Sequence, residues 1–294
     1  MIKKGIYAAG LSVLNVDLTL NIDSTIEHAE SSIKKGLHGV FFFGSTGQSQ
    51  LISISEKKEL ISKISLRKLR KHFFIGTGNN SLKDNIDLIK YAIEYDFHSF
   101  LIMPPAYYKG NTDQGVFNFY AAIISRVPKI KIILYNFEKL SGYKFSEDAV
   151  TKLVKEFPKN IIGCKDSSYN LFEKLKLPNF LIFLGSEAKL LKGLELGCAG
   201  CISAVTNVTH SMARKVYDDF ANKTEQTMNK KLILVREIFD EYNLISGLHS
   251  FMSKENKLFK NLLPPLVLLS MEKQNEFLNK LGALRFIPNK EIEA

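Results

Sequence analysis

The stretch NIIGCKDSS, residues 160–168, is a short apolar run that ends in a lysine followed by small polar residues. A run of this length, bounded by turn-forming residues, is typical of a fully buried parallel strand. Side chains at the carboxyl end of such a strand face the mouth of an α/β barrel. Lys165 is therefore a candidate Schiff-base nucleophile, because burial favours the neutral amine that can attack a ketone. The alternative is a strand-end lysine whose ammonium group simply reaches water.

Apolar runs of the same kind recur along the first two thirds of the chain. They define eight candidate strands, at Ile6–Val13, Val40–Phe43, Phe73–Gly76, Phe100–Met103, Ile130–Tyr135, Ile161–Lys165, Phe180–Leu184 and Cys201–Val205. Most segments between them have helical periodicity, as in Thr25–Lys35, Ser55–Lys68, Leu82–Tyr95, Gln114–Ser125 and Ser146–Phe157. Alternating strands and helices in this number predict an α/β fold, a (β/α)8 TIM barrel, over residues 1–208.

A different pattern follows the last predicted strand. Residues 209–294 contain amphipathic helical patterns only, so we expect a C-terminal helical region that packs on the barrel. The predicted helices are Met212–Asn222, Met228–Tyr242, Ser253–Leu262 and Met271–Leu281, with a break at Pro264-Pro265.

Composition limits the classes of partner. The chain has 294 residues, is 45% hydrophobic and carries a formal charge of +10, so it can bury a large core and attract anions. Its lysines are scattered along helical faces, which favours an anionic small substrate over nucleic acid. Every apolar run is shorter than the ~20 residues that span a bilayer, so we expect no membrane association.

The cysteines and the N-terminus bear on the compartment. Three cysteines are too few for a disulfide framework and predict a reducing, cytoplasmic environment. Cys198 and Cys201 have CxxC spacing, but an apolar strand follows them instead of a helix, so we expect packing and no redox or metal role. Residues 3–11 resemble the start of a signal peptide, but polar residues soon interrupt the apolar run, and a first barrel strand is the preferred interpretation.

Several predicted strand ends carry groups suited to chemistry. Gly44-Ser45-Thr46-Gly47 follows the second strand, where small residues let backbone N–H groups converge on a carboxylate or phosphate. Tyr107 follows the fourth strand and Tyr135 ends the fifth; phenols can transfer protons, although a lone tyrosine more often packs at a core edge. Residues 76–80 lack a dinucleotide fingerprint and the histidines lack ligand spacing, so we predict neither cofactor nor metal.

In this order the motifs resemble the class I pyruvate-dependent aldolases and lyases, the family that includes N-acetylneuraminate lyase and dihydrodipicolinate synthase. The resemblance covers most of the chain. Gly44–Gly47 is similar to the family's carboxylate-binding loop, Tyr135-Asn136 to its YN motif, Lys165 to its Schiff-base lysine, and residues 197–207, which include Ile202, to its GxxGxIS…N segment.

The resemblance implies a mechanism and an assembly. Lys165 would condense with the ketone of pyruvate or another 2-oxo acid without any cofactor, and Tyr135 would relay protons. Ser45, Thr46 and Gly47 would bind the carboxylate, and Ser45 would link Tyr135 to Tyr107. Tyr107 would enter the site of a neighbouring subunit in a homotetramer built from dimers.

Departures from the family pattern bear on the substrate. Leu140 stands where dihydrodipicolinate synthase has an arginine for a second carboxylate, which favours a sugar-acid aldolase; Lys139 is the nearest replacement cation. Glu187 is the only one left of the paired acids that bind the polyol tail in the sialic acid lyase. Gln48 replaces the usual acid after the carboxylate-binding loop. The substrate contacts expected beyond that loop are Ser167, Gly185, Ser186, Glu187, Ile202 and Leu140.

Three functional hypotheses follow. The first is a Schiff-base lyase that cleaves or forms a 2-keto-3-deoxy sugar acid or an N-acetylneuraminate-like substrate. The second is a 4-hydroxy-tetrahydrodipicolinate synthase that condenses pyruvate with aspartate semialdehyde. The third, of another class, is a non-catalytic 2-oxo acid binding protein, which would leave the lysine, serine and tyrosine set unexplained.

Overall fold

The structure is a closed barrel of parallel strands, in a computed structural model that describes residues 2–287. The strands are β1 (Gly5–Ala9), β2 (Gly39–Phe42), β3 (Phe73–Gly76), β4 (Ser99–Ile102), β5 (Lys131–Asn136), β6 (Ile161–Asp166), β7 (Leu181–Leu184) and β8 (Gly200–Ser203). Each strand pairs with the next along the chain, and β8 pairs with β1. The predicted (β/α)8 barrel is confirmed.

Helices separate most of the strands and continue after β8. They are α1 (Ile22–Lys34), α2 (Ile54–Ser65), α3 (Leu82–Glu94), α4 (Asp113–Arg126), α5 (Glu138–Ser141), α6 (Glu147–Glu156), α7 (Leu190–Glu195), α8 (Thr206–Asn222), α9 (Asn229–Asp240), α10 (Leu244–Met252) and α11 (Met271–Ala283). Ser53 and Glu56 form a capping box at the start of α2. Residues 167–180, between β6 and β7, form turns and no helix.

Side chains of the strands alternate between two packed layers. In β5, Ile132 and Leu134 pack towards the surrounding helices, whereas Ile133 and Tyr135 belong to the cluster inside the barrel. Rings such as Tyr7, Phe41 and Phe74 fill that interior. The barrel is therefore solid, and a site for a ligand has to lie at the ends of the strands.

One irregularity interrupts the pairing of β5 with β6. Ile132 pairs with Ile161, but the next residue, Ile133, pairs with Gly163. Ile162 is thus an extra residue on β6, a β-bulge. After the bulge the register is regular, so Lys165 lies opposite Tyr135. Neighbours in register point to the same face of a sheet, and Lys165 therefore shares the inward orientation of Tyr135.

The C-terminal region differs from its prediction in one helix. The helix predicted over Ser253–Leu262 is wrong: α10 ends at Met252, and only a 3₁₀ turn, Lys257–Lys260, follows. The start of α10 is fixed by Asn243, whose side chain accepts a hydrogen bond from the Ser246 N–H.

The predicted boundary between the barrel and the C-terminal region lies between residues 208 and 209. Both residues lie inside α8, which begins at Thr206. The last part of the proposed C-terminal region, residues 288–294, lies outside the described residues.

Candidate active site

Lys165 and Tyr135 meet at the carboxyl ends of β6 and β5. The Nζ atom of Lys165 lies 4.1 Å from the centroid of the Tyr135 ring. Both side chains are almost fully enclosed, with 3% and 4% of their surfaces exposed. A single amine is thereby held against a single phenol at the mouth of the barrel, where TIM-barrel enzymes build their sites.

The residues that follow these two side chains lock the strand ends together. Asn136 donates to a carboxylate oxygen of Asp166 at 2.9 Å and to Asn170 at 2.8 Å. The two oxygens of Asp166 accept three further hydrogen bonds, from the N–H groups of Tyr169, Leu171 and Phe172. Asn136 and Asp166 are thus structural, and they fix the positions of Tyr135 and Lys165.

The glycine-rich loop after β2 approaches Tyr135 from the other side. Ser45–Gly47 forms one 3₁₀ turn, and the Oγ atom of Ser45 lies 3.0 Å from the Tyr135 hydroxyl. Thr46 and Gly47 are buried. Ser12 supports the turn from below by donating to the Gly47 carbonyl at 2.7 Å. Ser45 and Tyr135, both predicted from the sequence, are therefore brought together.

Lys57 holds the loop that follows β3, a contact that sequence reasoning missed. Its side chain is fully buried in α2, and Nζ donates to the Thr77 carbonyl at 3.1 Å, the Gly78 carbonyl at 3.3 Å and the Asn79 side chain at 2.7 Å. Burial lowers the pKa of Lys57 to about 8. The loop that it holds packs on Ser49, because a Cβ added to Gly78 would lie 2.3 Å from the Ser49 Cβ.

Four further predicted residues lie near the mouth of the barrel. Ser167 and Gly185 follow β6 and β7 and are in close contact, since a Cβ added to Gly185 would lie 2.1 Å from the Ser167 Oγ. Ile202 is fully buried in β8, in the same interior cluster as Tyr135. Ser186 is buried, and its Oγ accepts a hydrogen bond from the Ala188 N–H.

Glu187 does not fit the role that the sequence predicted. Its carboxylate is fully buried and accepts hydrogen bonds from Ser203, from Thr209 at 3.1 Å and from Arg236 at 3.0 Å. Arg236 lies in α9 and is itself 8% exposed. Both carboxylate oxygens are thus engaged inside the protein, so we correct the expectation that Glu187 binds a substrate hydroxyl: it joins α9 to the barrel.

The loop after β4 places the Tyr107 side chain on the surface, away from the Lys165 site of the same chain. Tyr107 is 78% exposed, and its ring contacts that of Tyr108. Among the described residues, the Ser45 hydroxyl bonds to Tyr135 and not to Tyr107. Lys109, which sequence reasoning also missed, donates through Nζ to the backbone oxygens of Ala106 and Leu140.

The described residues, 2–287, form no site arranged for metal binding or for thiol chemistry. Within residues 2–287, His, Cys, Asp and Glu side chains form no group of three or more that could hold a metal ion. Cys198 and Cys201 are free and buried, and burial raises the pKa of the Cys198 thiol to about 11. Across the same residues, no helix combines the length and apolar character needed to span a bilayer.

A solid TIM barrel with an enclosed lysine beside a serine-bonded tyrosine has the features of a barrel lyase. The chain belongs to the dihydrodipicolinate synthetase family, whose family model matches residues 3–284.

Known relatives agree with this assignment. An uncharacterised DapA-like lyase of Chloroflexus aurantiacus is 28% identical over 81% of this chain and 82% of its own. A 2-dehydro-3-deoxy-D-gluconate/2-dehydro-3-deoxy-phosphogluconate aldolase of Picrophilus torridus is 25% identical over 86% of this chain and 96% of its own. The crystal structure of dihydrodipicolinate synthase from Agrobacterium tumefaciens has a TM-score of 0.86 at 24% identity, with 96% and 99% of the two chains covered, and supports the fold alone.

Proposed function

We propose that the protein is a Schiff-base lyase that joins pyruvate to an uncharged aldehyde, or releases pyruvate from the adduct. The aldehyde expected from the sequence is the fragment of a 2-keto-3-deoxy sugar acid. The observation that carries the proposal is the enclosed contact between the Lys165 Nζ and the Tyr135 ring, with Ser45 bonded to the phenol. Membership of a lyase family supports it.

The proposed steps use the chain's own groups. The neutral Lys165 amine attacks the C2 ketone of pyruvate, water leaves, and an imine forms. Tyr135 takes a proton from C3, directly or through a water molecule, and an enamine forms because the imine accepts the electron pair. C3 then bonds to the aldehyde carbon while Tyr135 protonates the aldehyde oxygen. Hydrolysis of the product imine regenerates the lysine, and the N–H groups of Ser45 and Thr46 hold the carboxylate throughout.

Reductive trapping tests the reaction before any aldehyde is known. Borohydride added with pyruvate should attach the three-carbon unit to Lys165, since an imine is the reducible species. Lys165→Ala and Lys165→Arg should give no adduct, because guanidinium stays protonated, whereas the exposed Lys139→Ala should be labelled like the wild type. Tyr135→Phe should still be labelled but lose about 10²-fold in turnover. An adduct on another lysine would overturn the proposal.

A second candidate is 4-hydroxy-tetrahydrodipicolinate synthase. A relative of that name in Methanococcoides burtonii, 28% identical over 96% of this chain, favours it. Aspartate semialdehyde needs a cation for its carboxylate, and Lys109 beside Leu140 could supply one. Leu140 itself cannot. A kcat/KM for aspartate semialdehyde above that for glyceraldehyde, lost in Lys109→Ala, would establish this candidate instead.

The proposal includes the setting of the enzyme. A reducing cytoplasm is supported by the three free cysteines. A homotetramer is supported by Tyr107, whose exposed ring is free to reach a second copy.

A further inference from the structure

A cavity of about 470 Å³ opens beside the candidate site. Ser45, Thr46 and Tyr135 line it, together with residues at the start of α10 and in the loop at Pro265. Its volume is that of a small-molecule site. A substrate held at Ser45 and Tyr135 would extend into this cavity. The cavity walls would then contact the part of the substrate farthest from the reacting carbonyl.

The walls of this cavity are largely apolar, and the described residues place no charged side chain in them. Leu51, Met103, Leu140 and Leu244 contribute to them. Among the described residues, none of the lining side chains is an aspartate, glutamate, lysine or arginine, in a chain of which 24% is charged. A carboxylate placed here would be desolvated without a partner, and a polyol would lose its hydrogen bonds to water.

Gln48 is one of several polar side chains in the wall, which also include Ser49, Gln50 and Asn243. Gln48 is 3% exposed, and its Oε1 atom accepts a hydrogen bond from the Leu263 N–H at 2.8 Å. This bond fixes the orientation of the amide, and the Nε2 atom is then buried without a hydrogen-bond partner among the described residues. A buried donor without an acceptor is unfavourable, so an acceptor on a ligand would be bound there.

We propose that the cavity binds the substituent of the aldehyde, and that this substituent is uncharged, largely apolar and carries one acceptor oxygen that faces Gln48. The inference rests on the proposed Schiff-base reaction. It replaces the polyhydroxy aldehyde expected from the sequence with a largely apolar aldehyde as the second substrate. Gln48 is then a specificity-determining residue. An acid at this position would lack the amide donor and would place a charge in an apolar wall.

A matched aldehyde series tests the chemistry of the substituent. The probes are hexanal, its isosteric ethers 3-ethoxypropanal and 4-methoxybutanal, glyceraldehyde, and the anionic 6-oxohexanoate, each with pyruvate. Hexanal should exceed glyceraldehyde in kcat/KM by about tenfold or more, because extra CH₂ groups are buried. The better ether should exceed hexanal by about fivefold, the effect of one neutral hydrogen bond. A preference for glyceraldehyde or 6-oxohexanoate would overturn the proposal.

Variants test whether the preference among aldehydes arises in the cavity. Gln48→Glu keeps the acceptor for Leu263 but removes the donor, so the ratio of ether to hexanal should fall to about one or below. Leu244→Gln should reduce the advantage of hexanal over glyceraldehyde, whereas Leu234→Gln, a half-exposed residue of α9 outside the cavity, should not. Unchanged ratios in both cavity variants would show that the substituent lies elsewhere or that a second copy fills the cavity, and either would overturn the proposal.

Two controls keep the result independent of folding and of the Schiff base. Thermal unfolding should show that each variant is folded at the assay temperature. Borohydride trapping with pyruvate alone should succeed in every variant, because no aldehyde takes part. Failed trapping in the wild type would count against the Schiff-base reaction itself, whereas intact trapping with the wrong aldehyde preference would count only against the cavity assignment.

Discussion

At the scale of single residues, Lys57 is a buried cation whose acceptors are all neutral. Its Nζ bonds to two carbonyl groups and one amide, and the charged group that acts on it is Asp84 in α3. Desolvation is the larger effect, and it lowers the pKa from the ordinary 10.5 to about 8. The folded protein therefore binds the Lys57 proton more weakly than the unfolded chain does.

This difference predicts how stability changes with pH. Between pH 8 and 10.5 the unfolded chain holds more protons at this site, so the contribution of Lys57 to the free energy of unfolding should rise with pH. The full change is on the order of 3 kcal/mol. Urea denaturation at both pH values should show that the difference between wild type and Lys57→Met grows by about this amount. Lys63→Met, on the exposed face of α2, should show no such growth; a constant difference for Lys57 would contradict the prediction.

At the scale of elements, Glu187 and Arg236 decide how α9 attaches to the barrel. Their side chains are 0% and 8% exposed, and Arg236 also bonds to Ser203 at the end of β8. Removing one partner of a buried ion pair leaves the other charge uncompensated. The attachment of the C-terminal region thus depends on both residues together.

Arg236→Met should lower the free energy of unfolding by about 3–5 kcal/mol. The double variant Glu187→Gln with Arg236→Met should lose less than Arg236→Met alone, because no buried charge is left. Arg214→Met, which breaks a half-exposed pair with Asp218, should cost about 1 kcal/mol or less. Urea denaturation measures all three. Equal losses of unfolding free energy for the two arginine variants would show that the buried pair of Glu187 stabilises the fold no more than the half-exposed pair does.

The elements also show which features local sequence can predict. Strands, caps and the strand-end residues Lys165, Tyr135 and Ser45 follow from patterns within a few residues of each other. Glu187 was misassigned because its partner is 49 residues away in sequence. The contact of Gln48 with Leu263 spans 215 residues. Long-range pairs of this kind leave no local signal, so the cavity and the buried network required the folded structure.

At the scale of the whole molecule, an exposed aromatic pair is the surface on which we expect self-association. Tyr107 and Tyr108 are 78% and 75% exposed beside one another, and the neighbouring Leu140 is 39% exposed. Exposed apolar groups that lie together usually bind a partner, and a second copy of the same chain is the commonest one. A phenol delivered from such a copy would reach the mouth of the barrel.

We therefore expect an oligomer whose activity falls on dilution. Tyr107→Ser should lower both the sedimenting mass at micromolar concentration and the turnover with pyruvate and aldehyde, because interface and phenol are lost together. Val267→Ser, an exposed apolar residue elsewhere with 68% of its surface accessible, should change neither. A fully active wild-type monomer in the ultracentrifuge would contradict the prediction.

The bulge at Ile162 determines how β6 responds to a change in its length. The residues from Gly163 onwards pair regularly with β5, and the extra residue before them lies outside this pairing. Loss of Ile162 would leave a regular strand in which Lys165 still lies opposite Tyr135. Loss of Cys164, two positions later, would instead move Gly163 and Ile162 one place along β6, so that Ile162 takes the inward position of Gly163. A deletion at the bulge thus keeps the inward-facing side chains of this strand, whereas a deletion just after Gly163 changes them.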